Sequence, residues 1–268
     1  MIPDDLAERL LAVRGVVAVA LGGSRARGTH RPDSDWDLGL YYRGELDVDH
    51  LRAIAASVAD SPVELTVPGG WGPWVNGGGW LRIGGAAVDW LYRDLDRVTE
   101  VWGDCQAGRY EVGVQAGHPL GFYSHAYPGE VALCQVLADP AGELAALRTE
   151  TRHYPAALSA ALVGAAWEAG FLVANAGKAV GVVDSCYAAG CLFRAVGVLA
   201  HALHGRAGKW LINEKGMIAG TGLLPGAPAG FTDRAQRLLA ATGGRPDELE
   251  ATLDAADRLV GDVLEVLS

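Results

Sequence analysis

With 268 residues, half of them hydrophobic and a fifth charged, the chain has the composition of a folded protein with one large domain or two ordinary ones, which excludes a disordered polypeptide. Its formal charge of -10 disfavours a long polyanionic partner, because nucleic-acid binding leaves a basic footprint; a small anion carried with its own metal ions is compatible with it. Cys105, Cys134, Cys186 and Cys191 show neither C-x-x-C spacing nor a paired framework, which reads as reduced thiols in a cytoplasmic protein.

Asp4 to Arg14 reads as an amphipathic helix with early acids, unlike a signal peptide, and Gly15 closes it. "VVAVAL" (Val16–Leu21) follows as a buried strand, then a Gly22-Gly23-Ser24 turn, then a second strand, "DWDLGLYY". Asp49 to Asp60 predicts a helix, and "VELTV" (Val63–Val67), "WLRI" and "AAVDWLY" predict three further strands. Between them, "PGGWGPWVNGGGW" is too glycine-rich for regular structure; its Trp71, Trp74 and Trp80 either cover a ligand or anchor the loop.

From about Pro128 the periodicity turns helical, beginning with "GEVALCQVLAD" and continuing to the C-terminus. Asp184 and Pro246 mark helix starts, and Gly170 and Gly205 are plausible breaks. The long apolar stretches are interrupted by glycine and charge, so no membrane span is expected. The fold class expected is α+β: a small mixed-sheet domain, residues 1–125, followed by an all-α helical bundle, residues 126–268.

The segment "GGSRARGTHRPDSDWDLGL" carries the chemistry. In a strand, Asp35 and Asp37 point to the same face, about 7 Å apart along the chain, a spacing suited to divalent cations. The glycines let backbone N–H groups approach an anion, and Ser24 can donate to a phosphate. A phosphate cradle beside a carboxylate pair describes a phosphoryl-transfer site.

This segment resembles the G-S-x(n)-D-x-D signature of the DNA polymerase β-like nucleotidyltransferase superfamily, and within it the small bacterial branch that includes aminoglycoside and lincosamide nucleotidyltransferases. The resemblance spans residues 16–95 and extends loosely to 118–268, where "YPAAL", "DSCY" and "NEKG" are similar to pieces of a helical substrate domain. It implies an enzyme that transfers a nucleoside monophosphate, AMP, from a nucleoside triphosphate to a hydroxyl, with release of pyrophosphate. Asp35, Asp37 and a third carboxylate, Asp89 of "AAVDWLYRDL", would hold two Mg²⁺ ions. Gly23, Ser24 and Arg25, with Lys215 and Lys178 from the helical half, would bind the triphosphate. The base would be Asp89 or a carboxylate of the helical half. Glu130 and Asp184 are its candidates, with helix capping as the other reading of both, and Tyr187 lies beside Asp184 for acceptor contact or core packing.

Both halves are acidic: residues 1–125 hold 17 acids against 11 bases, and residues 126–268 hold 15 against 11, giving -6 and -4. That balance suits a small cationic acceptor, such as an aminoglycoside-type antibiotic, and no nucleic-acid or membrane partner. The alternative is an antitoxin-type nucleotidyltransferase that binds or adenylylates a partner protein, against which the added helical half argues.

Overall fold

A computed structural model of the protein describes residues 3–268. In chain order the elements are α1 (Leu6–Leu11), β1 (Val16–Leu21), α2 (Gly23–Ala26), β2 (Trp36–Tyr42), α3 (Val48–Val58), β3 (Gly78–Ile83), β4 (Ala86–Asp94), α4 (Leu95–Gln106), β5 (Val112–Gln115), β6 (His118–Tyr123), α5 (Ala126–Leu133), β7 (Gln135–Ala138) and α6 (Glu143–Thr151). There follow α7 (Ala156–Gly164), α8 (Trp167–Ala176), a 3-10 segment (Gly177–Val182), α9 (Ser185–Arg206), α10 (Met217–Gly222), α11 (Phe231–Ala240) and α12 (Pro246–Leu267). The class is the expected one, a mixed sheet followed by a helical region.

Two compact units result. One runs up to Asp104 and adds Tyr110–Gly117 and Gly121–His153; the other holds Cys105–Arg109, His118–Leu120 and Tyr154–Ser268. The first unit therefore extends past the expected boundary at residue 125. The reason lies in "GEVALCQVLAD": the helix ends at Leu133, Cys134 turns extended, and Gln135–Ala138 pairs antiparallel with β1 instead of continuing as helix. That strand gives the buried β1 a neighbour on its second side, and the sheet order is β3-β4-β2-β1-β7.

The sheet has two unlike faces. Leu38, Leu40 and Tyr42 of β2, Val88, Trp90 and Tyr92 of β4, and Leu81 and Ile83 of β3 pack into one apolar core with α1 and α3. The alternation of side chains then sends Asp37, Asp89 and Trp80 to the other face. β2 and β4 run parallel, with Asp37 opposite Asp89, and β3 runs antiparallel to β4, with Trp80 opposite Asp89.

Two local expectations are corrected. "VELTV" is not a strand: Leu65 packs against Gly79 of β3, Thr66 donates its backbone N–H to Gly78 O at 2.9 Å and accepts at its hydroxyl from Gly78 N–H at 2.9 Å, and Pro68 follows. Gly170 lies inside α8, and the breaks fall at Ala165-Ala166 and at the 3-10 segment. By length and composition, Ala156–Val182 and Ser185–Arg206 are helical stretches apolar enough to cross a membrane; 67% of the latter's apolar window is buried within the protein.

Within the first unit, β4 is tied to α5 by an ion pair. Arg93 Nε and Nη2 donate to the two oxygens of Glu130 at 2.6 and 2.9 Å, and Nη1 donates to the carbonyls of Val75 and Tyr92. Burial opposes the arginine charge, but Glu130 more than offsets this and raises its pKa. Removing one member of a buried pair strands the other charge. Glu130→Gln is therefore expected to lower the free energy of unfolding by about 3 kcal/mol, read by urea denaturation at pH 7.

Candidate active site

β1 ends at Leu21, and the chain turns at once. Gly22 N–H donates to the carbonyl of Asp37 at 2.7 Å. Gly23 sits at φ +62°, and a Cβ built there would stand 1.8 Å from Asp37 Oδ2. Both facts require glycine: a side chain would occupy the place of the carboxylate and strain the backbone. Ser24 follows in the short helix α2, part-buried beside this contact.

The loop from α2 to β2 is closed by Arg25. Its Nε donates to the carbonyls of Ser34 and Asp35 at 3.0 and 3.1 Å, Nη2 donates to Ser34 O at 2.6 Å, and the guanidinium lies 4.4 Å from the centre of the Trp36 ring. The arginine expected to bind triphosphate is thus committed to fixing the backbone of Asp35. Asp33 pairs with Arg31 at 3.0 Å on the exposed outer part of the loop.

The register makes Asp37 and Asp89 direct neighbours on parallel strands. Strands lie about 4.8 Å apart, so the two carboxylates share one patch of the sheet face. Asp89 is half-buried, and its pKa is pushed up to about 6, first by burial and then by the charges of Asp37 and Asp35. The three carboxylates predicted to act together are therefore electrostatic neighbours. Among the described residues, no group of three His, Cys, Asp or Glu side chains already stands close enough to hold a metal ion. The donors still fit a hard divalent cation: they are carboxylate oxygens that repel one another, and a cation between them would relieve the repulsion.

Residues 3–64 match the family model for the nucleotidyltransferase domain. The chain is a transferase with a nucleotidyltransferase domain. A solved structure of a nucleotidyltransferase-like protein from Exiguobacterium sibiricum 255-15 is similar over 92% of this chain and 69% of its own, at 11% identity and a TM-score of 0.46. No curated protein matches the chain.

The match covers the glycine turn, Asp35 and Asp37; Asp89 lies beyond it and is brought beside Asp37 by the pairing of β2 and β4. The other expected site residues have the following surroundings within their own units. Glu130, in the first unit, accepts from Arg93 with both oxygens. Asp184 caps α9, accepting from Tyr187 N–H at 3.0 Å, and Tyr187 is exposed on the same turn. Lys178 donates to Asn175 Oδ1 at 2.6 Å, and Lys215 is exposed; both belong to the helical unit. A cavity of about 230 Å³ lined by Tyr42, Asn76, Asp94, Arg97 and Tyr127 lies at the opposite ends of β2 and β4 from the carboxylates. It is separate from the carboxylate cluster.

A carboxyl whose pKa is higher in the folded chain than in the unfolded one binds its proton more tightly when folded. Its ionisation therefore costs stability, with the loss developing as pH rises from about 4 to about 6. In protein stripped of divalent ions, Asp89→Asn is expected to raise the melting temperature at pH 8 by about 2–4 °C, allowing for solvent screening of a half-exposed group. The gain should fade toward pH 5, as shown by thermal melts at both pH values.

Proposed function

We propose that this enzyme transfers a nucleoside monophosphate, AMP in the first instance, from a nucleoside triphosphate to a hydroxyl of a small molecule, with aminoglycoside-type antibiotics as the acceptor class to try first. One observation carries the reading: Asp37 lies against the Gly23 backbone on one side and opposite Asp89 on the other, so a turn suited to phosphate and a cluster suited to cations meet at one carboxylate.

Asp35, Asp37 and Asp89 would hold Mg²⁺, which, when bound, neutralises charge on the triphosphate and on the entering oxygen. Gly23 and Ser24 hold the β- and γ-phosphates, with the Ser24 hydroxyl as donor. Arg25 keeps the Asp35 backbone in place. The acceptor oxygen forms a bond to the α-phosphorus as the bond to pyrophosphate breaks, and the hydroxyl proton passes to an Asp89 oxygen.

The charge of -10 supports a cationic acceptor and argues against nucleic acid or a membrane as partner. The unpaired thiols of Cys134 and Cys191 support a cytoplasmic setting. The test incubates the protein with Mg²⁺, each of the four triphosphates and a panel of aminoglycosides and lincosamides, with mass spectrometry for a nucleotidylated product and an assay for pyrophosphate. Product and pyrophosphate are expected in equal amounts, and Asp37→Asn, checked for folding by circular dichroism, is expected to lower turnover by about a hundredfold or more. Undiminished turnover in that variant contradicts the reading.

A further inference from the structure

The strand order sets out a line across one face of the sheet: the Gly22–Ser24 turn at the end of β1, Asp37 on β2, Asp89 on β4, and Trp80 on β3. Trp80 is the direct cross-strand neighbour of Asp89 and shares its face, while Leu81 and Ile83 alternate into the core. Its indole is 68% exposed. Keeping that much aromatic surface in water forgoes a large burial gain.

The exposure is built, not incidental. Trp80 stacks on Trp71, with ring centroids 4.4 Å apart and planes 20° apart. Trp71 is itself fixed: its N–H donates to Asn76 O at 3.1 Å, its carbonyl accepts from Gln115 Nε2 at 2.5 Å, and its ring lies so close to Gly78 that a Cβ there would stand 3.1 Å away. One indole is thus held to back another whose surface remains open beside Asp89.

We infer that Trp80, backed by Trp71, is the stacking platform for the acceptor, and that the acceptor presents an amino-substituted ring to it. The inference rests on the proposed nucleotidyl transfer, which puts triphosphate at the glycine turn. Trp80 lies on the far flank of Asp89 from that turn, which is the acceptor's side. An indole face attracts cations and C–H groups, and the neighbouring carboxylates attract ammonium groups, so an amino sugar or amino-cyclitol satisfies both. Trp80 is a specificity-determining residue in this account and takes no part in proton transfer.

The test is isothermal titration of the full-length protein, without triphosphate or metal, with kanamycin, methyl α-D-glucopyranoside and adenosine. Kanamycin is expected to bind best. Trp80→Leu should weaken it by about tenfold, and Trp80→Phe, which keeps a ring, by no more than about threefold. In turnover, Trp80→Leu should raise the KM for acceptor and leave the KM for triphosphate within about twofold. The inference is overturned by absent kanamycin binding, by equal affinity in Trp80→Leu, or by adenosine being the probe whose binding that variant loses. If kanamycin binds through Trp80 but is never nucleotidylated, the platform stands and the transfer reading fails. If transfer proceeds with an unchanged acceptor KM in Trp80→Leu, only the platform fails.

Discussion

Like charges placed side by side are the constraint around which the first unit is arranged. The parallel register of β2 and β4 puts Asp37 beside Asp89, and the Gly23 backbone presses against the Asp37 carboxylate from the other strand end. Burial first, and the neighbouring charges of Asp37 and Asp35 second, push the Asp89 pKa up to about 6. A fold gains nothing in stability from such an arrangement, so it has to be maintained by interactions elsewhere.

Those interactions are identifiable. The opposite face of the same strands is filled by Leu38, Leu40, Val88 and Trp90, which fixes the register, because a one-residue slip would drive the aspartates into the core. Arg25 holds the chain entering β2 by its carbonyls and by stacking on Trp36. Arg93 and Glu130 hold the far end of β4 against α5. The glycine-rich loop is likewise a fixed structure: Gln115 accepts from the N–H groups of Trp74 and Val75, and Tyr127 donates to Trp74 O. The carboxylates thus stand on strands held at the entry to β2 and at the far end of β4.

Much of this was legible from the residues. Gly-Gly-Ser and Asp-x-Asp are local patterns whose chemistry needs only a strand and a turn; the glycine turn follows β1 as expected, whereas β2 begins at Trp36, so Asp37 stands in the strand and Asp35 just ahead of it. Asp89 was placed by family resemblance, and pairing between strands brought it to the others. What stayed hidden depends on pairings a single strand does not encode. β7 lay inside an apolar run that also suits a helix, and only the open edge of β1 decides the matter. Trp80 looked like one of three loop tryptophans until the β3–β4 register set it opposite Asp89. Arg25 and Glu130 carry charges suited to catalysis, and the carbonyls and the arginine that occupy them are tertiary neighbours.

The central claim is that Asp35, Asp37 and Asp89 form one divalent-cation site. The most direct measurement is electron paramagnetic resonance of free Mn²⁺ titrated with the protein near pH 7.5. The account predicts that the wild-type chain withdraws Mn²⁺ from solution and that replacing either Asp37 or Asp89 by asparagine weakens this by about tenfold or more. Equal depletion of the Mn²⁺ signal by the wild type and both variants, or none by any of them, would contradict it.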